Sequence, residues 1–265
     1  MPKLVAMLRV KDGMLFVDDW LAHIGPLVDE IVVVDNGSTD GTVERLRAHP
    51  QVVALEQTVG FEEGRDKRLA YELARQRQPD WMLWLDVDEW FEDRCTRTTL
   101  ETMMASATVT RYFFRRFHFH QDARSFEARF DKLSSIAVPD RVLWREQPTG
   151  YFLDVRIHCP AVLGITGRKK ISSLRLKHYG ALDTDYLKRK TAIYLAVDPE
   201  RKAMYERHRD QSVPVWPWYE YAEKPLVVLA QQAVLSVLCA GYFARRLFRR
   251  VRPAGCETQA DEVAV

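Results

Sequence analysis

The run Trp81-Met-Leu-Trp-Leu-Asp86-Val-Asp88-Glu89 constrains this chain more than any other stretch. An apolar segment from Trp81 to Leu85 ends abruptly in carboxylates. A short, continuous apolar run reads as a strand buried on both faces, the kind found in parallel sheets. Charge at the end of such a strand is costly unless it is paired or binds a cation. In open α/β sheets, ligands sit outside the carboxyl ends of the strands. Two aspartates with one residue between them suit a hard cation that also holds phosphate oxygens. Asp-x-Asp triplets also occur as helix caps and solvated turns. The place of this one, at a strand end, carries the argument.

The residues before this run alternate between two periods. Leu4–Leu8, Ile31–Val34 and Val52–Leu55 read as short buried strands. Between them, Met14–Ile24 and Glu62–Gln76 have apolar residues at helical spacing. The turn-rich Asn36-Gly-Ser-Thr-Asp-Gly41 leads into a helix that Asp40 caps and that runs to about His49. This alternation predicts an α/β fold: a mainly parallel, twisted sheet with helices on both faces. After a helix at Thr96–Ala105 the pattern changes. Val109–His120, Val142–Trp144, Phe152–Ile157 and Leu174–His178 read as strands of a smaller mixed-sheet part beside the parallel half. Thr184 to about Arg209 reads as helix broken near Pro199, and Pro214–Tyr221 as irregular.

Composition excludes several classes. A formal net charge of +2 over 265 residues offers no global field for nucleic acid. Cys95, Cys159, Cys239 and Cys256 lack paired ligand spacing and read as reduced thiols of a cytosolic compartment. The N-terminus enters a strand without the charged, apolar and cleavage regions of a secretory leader. Walker-type and Gly-x-Gly-x-x-Gly loops are absent, which argues against P-loop and dinucleotide-binding readings.

Three strand ends carry polar residues on one edge: Arg9-Val10-Lys11-Asp12 after the first, Asp35-Asn36 after the second, and Asp86, Asp88 and Glu89 after the fourth. Arg65 stands near a helix start that feeds the same edge, a favourable place for an anion. Singly, each has a bland reading as a turn, loop or solvated residue. Together they describe a pocket for a nucleotide diphosphate bridged to a metal.

In order and spacing, Val10-Lys-Asp12, Ile31-Val-Val-Val-Asp-Asn-Gly-Ser-Thr-Asp-Gly-Thr42, Gly64-Arg-Asp66 and Trp84-Leu-Asp-Val-Asp-Glu89 resemble a family 2 glycosyltransferase of GT-A fold, Asp-x-Asp type, over about residues 3–92. The resemblance implies transfer of a sugar, with inversion, from a nucleotide-diphosphate sugar to a hydroxyl acceptor, a carbohydrate or lipid-linked one, in cell-envelope or surface polysaccharide synthesis. It assigns donor binding to Val10, Lys11, Asp12, Asp35, Arg65 and Asp86, with Asp35 at the base and Arg65 near the diphosphate. Asp12 stands where the family often has asparagine. The cofactor implied is Mn2+ or Mg2+, held by Asp88 and Asp86, with His178 matching a downstream histidine that completes the metal site. A metal at Asp88, helped by Arg65, would stabilise charge on the leaving phosphate. Inversion also needs a base for the acceptor hydroxyl. Glu89, Asp131, Asp140 and Asp154 are candidates, with Asp140 named for its loop after Pro139.

Other polar residues have plainer readings. His118 and His120 share a face if Val109–His120 is a strand, and a half-exposed strand face accounts for them better than a metal pair. Lys188 and Lys190 belong to a solvated helix face unless they reach phosphate. Two other functions compete. Nucleotidyl transfer also uses carboxylate-bound metal, but wants a Gly- and Arg-rich loop that Arg9–Met14 is not. A non-catalytic nucleotide-sugar-binding membrane scaffold would tolerate loss of Asp86 or Asp88, and both are present.

The implied organisation is a catalytic domain at 1–180 (a nucleotide-sugar-binding half at 1–92 and an acceptor-side half at 93–180), a helical and aromatic segment at 181–224, a membrane-associating helix at 225–252 and a disordered tail at 253–265. Leu226–Phe243 would span about 27 Å as a helix, barely the hydrocarbon thickness. Gln232, Ser236, Arg246 and Arg250 fall on one face, and Arg245–Arg252 is rich in arginine. A single span with the arginines cytoplasmic would place residues 1–220 on the far side, away from cytosolic nucleotide sugars. The expectation is therefore an interfacial or re-entrant helix on an anionic surface, with the enzyme cytoplasmic and peripheral on the inner face of the plasma membrane. A true span and a helix packed as ordinary core are the alternatives.

Overall fold

The computed structural model describes residues 1–119, 122–127, 141–202 and 214–251. An eight-stranded sheet runs in the order β3-β2-β1-β4-β8-β6-β9-β5. Its parallel half comprises β1 (Leu4–Val10), β2 (Glu30–Asp35), β3 (Val52–Gln57) and β4 (Trp81–Trp84). The other half holds β5 (Glu89–Phe91), β6 (Val109–His118), β8 (Arg141–Arg145) and β9 (Arg168–His178). β8 runs antiparallel to both β4 and β6, β6 is parallel to β9, and β5 closes the edge antiparallel to β9. A separate ribbon pairs β7 (Ser125–Glu127) with β10 (Val215–Pro217).

Alternation along β1 explains the layers. Leu4, Ala6, Leu8 and Val10 join one buried cluster, and Val5 and Met7 the other. The first face is covered by α1 (Met14–Ile24), α4 (Arg97–Met104) and α6 (Pro225–Val251), and it also receives Tyr186 of α5 (Thr184–Val197). The second is covered by α3 (Glu63–Gln76) and the segment from Phe152 to Ile165. A further short helix, α2 (Thr42–Arg47), links β2 to β3. α1 forms because Phe16, Val17, Trp20, Leu21 and Ile24 recur on one side and are buried. Each such burial contributes roughly 1.5–3 kcal/mol, against a few tenths per residue from helix propensity. Trp20→Ala is the single change most damaging to it.

Three expectations are corrected. The mixed part does not pack beside the parallel half but continues the same sheet, with Trp81 to Trp84 of β4 paired to Arg145 to Val142 of β8. This pairing satisfies a β4 edge that would otherwise be open. Phe152–Ile157 is not a strand; only Tyr151 makes a bridge there, to Leu163. Pro214–Tyr221 is not wholly irregular, because Val215–Pro217 pairs with β7. His120, Asp131, Asp140, the helix beyond residue 202 and the tail from 253 lie outside the described residues.

Candidate active site

The carboxyl ends of β1, β2 and β4 open on a cavity of about 450 Å³. Val10, Lys11, Asp12, Asp86, Asp88 and His178 line it, together with Arg9, Lys67, His118, Arg141 and Lys190. Asp35, Arg65 and Glu89 do not.

Asp35 is fully buried at the end of β2. Its Oδ1 accepts from the Gly37 and Ser38 N–H groups at 3.0 and 2.9 Å. Its Oδ2 has no hydrogen-bond partner among the described residues. A buried acceptor left open in this way is costly, on the order of 1–3 kcal/mol. Lys11 Nζ donates to the Gly37 carbonyl at 2.8 Å. Asp12 has a left-handed backbone (φ 45°). Its N–H donates to Ser38 Oγ at 2.7 Å and its Oδ1 accepts from Thr39 N–H at 2.8 Å. The two loops after β1 and β2 are thus tied to each other through neighbouring backbone.

Asp66, which the Gly64-Arg-Asp66 motif contains without giving it a role, is the hub beneath this edge. It is fully buried and accepts from Thr58 Oγ1 at 3.0 Å and Asn36 Nδ2 at 3.3 Å. It also pairs with Arg65 at 2.8 Å and Arg9 at 3.6 Å. The Arg65 guanidinium spends its remaining donors on the Val59 and Gly60 carbonyls at 2.9 and 2.8 Å. Near this edge the cavity is instead lined by Arg9, stacked 4.5 Å over Phe61, and by Lys67, held at 2.9 Å by Glu63 and at 2.7 Å by the Cys159 carbonyl. The start of α3 is closed to an anion, a second correction here. Its Glu63 and Gly64 N–H groups donate to the Arg156 and Val155 carbonyls, each at 2.9 Å. A Cβ on Gly64 would come within 2.3 Å of the Leu153 carbonyl, so only glycine allows this approach.

The carboxylates after β4 are held differently. Glu89 is fully buried, with Arg116 at 2.9 Å on Oε1 and Arg141 Nε at 2.6 Å on Oε2. Arg141 also pairs with Asp86 Oδ2. Burial opposes ionisation of Asp86, but Arg141 overrides it and holds the carboxyl below its ordinary value. Asp88 is fully buried. Its Oδ2 accepts from Lys190 Nζ at 2.8 Å and lies 3.4 Å from His178 Nε2. Its Oδ1 has no partner among the described residues. Burial would raise this carboxyl too, yet Lys190 and His178 keep it well below the usual carboxylate range.

His178 ends β9 directly beside Glu89 of β5 and His118 of β6. Its Nδ1 lies 2.7 Å from His118 Nδ1, so one ring donates and the other accepts. His118 therefore lines the cavity and supports His178, a role that neither the metal pair nor the half-exposed strand face expected from sequence describes. Ligand atoms of Asp88, Glu89 and His178 lie within 4.8 Å of one another. Carboxylate oxygens with an imidazole nitrogen suit Mn2+ or Mg2+, and the orphaned Asp88 Oδ1 fits such an ion. Lys190 is in the cavity rather than on a solvated face; Lys188 is the exposed one and pairs with Asp185 at 2.9 Å. Glu89, with both oxygens held by guanidinium groups, and Asp154, on the surface 3.0 Å from Arg68, are poorly placed as bases.

This arrangement agrees with a family comparison: residues 17–151, just over half of the chain, match the model described as glycosyl transferase family 2. The chain belongs to that family. Its activity class is therefore glycosyl transfer. Similar solved structures are found at low identity. An S. aureus TarS 1–349 complex with UDP is 14% identical, with TM-score 0.43, over 78% of this chain and 69% of that one. A longer S. aureus TarS structure is 13% identical with TM-score 0.46, and this chain covers 42% of it. Mannosyltransferase PcManGT from Pyrobaculum calidifontis, in complex with GDP-Man and Mn2+, is 16% identical with TM-score 0.46, over 93% of this chain and 81% of that one. A comparison with curated protein sequences finds no match.

Proposed function

We propose that this glycosyltransferase is metal-dependent and inverting, and takes its sugar from a nucleoside-diphosphate donor. The observation that carries the reading is Asp88, which lines the cavity with its buried Oδ1 left without a partner among the described residues; Asp35 Oδ2, at the end of β2, is left without one as well. Asp35 would accept from the nucleotide base, and Val10 to Asp12 would flank it. Arg9 and Lys67 supply positive charge along the cavity. Arg65 supports them by holding Asp66. Asp88 and His178, with Asp86 close by, would hold a divalent cation, which when bound neutralises charge on the leaving diphosphate. Arg116 and Arg141 pair with the Asp86–Glu89 turn and fix it. Asp140 is assigned as the base that removes the acceptor proton.

The test is incubation with a panel of nucleotide sugars and Mn2+. Release of nucleoside diphosphate with inverted product supports the reading; release of pyrophosphate would mean nucleotidyl transfer, and no turnover with tight nucleotide binding a non-catalytic binder. Asp140→Asn should then lower turnover with donor affinity unchanged, and unaltered turnover would remove Asp140 as the base.

The acceptor is assigned to a membrane surface on the evidence of α6. No helix among the described residues is long and apolar enough to cross a membrane. One stripe of α6 is buried against the domain at Val228, Leu235 and Cys239, and Gln232 donates to the Ser173 carbonyl at 2.7 Å. Gln232 thus faces protein, not a polar exterior. Leu226, Leu229, Val234 and Val237 remain exposed, next in sequence to the arginines at 245–252. The exposed Arg168, Lys169 and Lys170 of β9 add charge of the same sign. Full-length protein should bind phosphatidylglycerol-containing vesicles at low salt and leave them at high salt. Equal binding to purely zwitterionic vesicles would refute the electrostatic part, and no binding to either the whole assignment.

A further inference from the structure

Lys190 is the feature that the proposed function leaves unexplained. It stands 102 residues after Asp88, yet its Nζ donates to Asp88 Oδ2 at 2.8 Å. His178 Nε2 approaches the same oxygen at 3.4 Å. The oxygen that faces the candidate metal ligand is therefore already occupied by a full positive charge. A divalent ion entering beside that ammonium would be repelled by it.

Two facts make the contact exchangeable. The backbone at Lys190 is fixed, because Tyr186, Leu187 and Thr191 of α5 are buried and Asp183 caps the helix by accepting the Tyr186 N–H at 2.6 Å. The side chain itself is 25% exposed and lines the cavity, whereas Asp88 is fully buried. A flexible four-carbon stem on a fixed anchor lets the ammonium swing without refolding. Once displaced, that ammonium needs another anion. The nearby carboxylates of the cavity, Asp86 and Glu63, are already paired with Arg141 and Lys67, so the free anion that fits is one the ligand brings.

We propose that Lys190 is a resident counter-cation of Asp88, which a divalent metal must displace, and that the donor's diphosphate receives the displaced ammonium. Metal and nucleotide then bind cooperatively, and metal alone binds poorly. The coupling is reciprocal, since each ligand's affinity rises by the same factor in the presence of the other. The inference rests on the reading of Asp88 as a metal ligand, and Lys190 acts in it as a positioning residue.

The experiment measures binding of Mn2+ alone to the full chain by the loss of the free-ion paramagnetic resonance signal. Unchanged protein, Lys190→Met and Lys190→Arg are compared, then each is titrated again with UDP or GDP present. Lys190→Met should bind Mn2+ alone about tenfold or more tightly than the unchanged chain, since a repelling charge is gone. Lys190→Arg should stay as weak as the unchanged chain. The nucleotide should strengthen Mn2+ binding by a larger factor in the unchanged chain than in Lys190→Met. A merely structural lysine would not yield a tighter metal site on removal. Equal or weaker Mn2+ binding by Lys190→Met overturns the role of Lys190, as does Lys190→Arg binding as tightly as Lys190→Met. Failure of all three chains to bind Mn2+, with or without nucleotide, overturns the metal reading of Asp88 and this inference with it. Should Lys190→Met fail to fold, Lys190→Gln keeps a hydrogen bond to Asp88 without the charge and gives the same comparison.

Discussion

The two ends of the cavity hold their carboxylates by different means. At the β2 end, Asp35 is tied by N–H groups two and three residues away. At the β4 end, the partners come from far along the chain: Arg116 at a separation of 27 residues from Glu89, Arg141 at 52, and Lys190 at 102 from Asp88. At the first end Asp35 is held by turn chemistry, with neutral backbone donors. The second is an ion-pair cluster assembled only when three later elements close on β4. A locally tied carboxylate keeps its shape when one partner is lost. A buried ionic cluster loses more stability, because removing one charge leaves another without compensation.

The largest effect should follow from Asp88→Ala. Turnover should fall at least about 10²–10³-fold with the fold kept, as for loss of a transition-state charge stabiliser. Steady-state kinetics in metal-replete buffer with circular dichroism decide it, and near-normal turnover would remove Asp88 from the chemistry. Glu89→Gln should act on stability instead. It strips the buried charge that faces Arg116 and Arg141 and should cost about 3–5 kcal/mol, read as a lower urea midpoint with the same slope. A midpoint within error of the unchanged chain would erase the contrast between the two ends.

Asp35→Ala belongs to the locally tied end and should leave stability nearly unaltered. Nucleotide affinity should drop about tenfold, the size of one good hydrogen bond. Since contact with the base hardly changes during reaction, the loss should appear in KM and not kcat. Calorimetry showing unchanged nucleotide affinity would reduce Asp35 to a turn residue.

The smallest effect is expected at Asp40, where Oδ2 accepts from Met14 N–H at 3.0 Å and Oδ1 from Thr42 N–H at 3.1 Å. Burial opposes its charge, but these bonds and the Thr42 hydroxyl bring its pKa below the ordinary 3.8. A depressed folded pKa means a contribution present above about pH 4 and lost as pH falls through the folded value. Asp40→Ala should therefore cost about 0.5–1 kcal/mol at pH 7, with the gap narrowing in acid. A gap that widens on acidification would show the sign to be wrong.

These contrasts also explain what could be read without coordinates. The parallel half was legible because its order is written in short-range signals. Continuous apolar runs made β1, β2 and β4, helical spacing made α1 and α3, and Asp35 and Asp86 fell at strand ends by counting. The role of Asp66 was not legible because its partners Asn36, Thr58 and Arg9 come from other elements. Arg65 drew attention over Arg9 because a helix start suits an anion, and nothing local reveals that the Arg156 and Val155 carbonyls close that start.

What the sequence by itself determined is the α/β frame, the edge on which the site lies, and membership of a glycosyltransferase family over residues 17–151. Periodicity and turn chemistry act within a few residues of one another, so they survive in one dimension. Only the tertiary structure decided which cations face which carboxylates. It set His118 against His178, seated Arg116 and Arg141 on Glu89, and brought Lys190 from a helix that reads as solvated onto Asp88. The strength of such pairs depends on burial and distance, and neither is encoded at any fixed spacing along the chain.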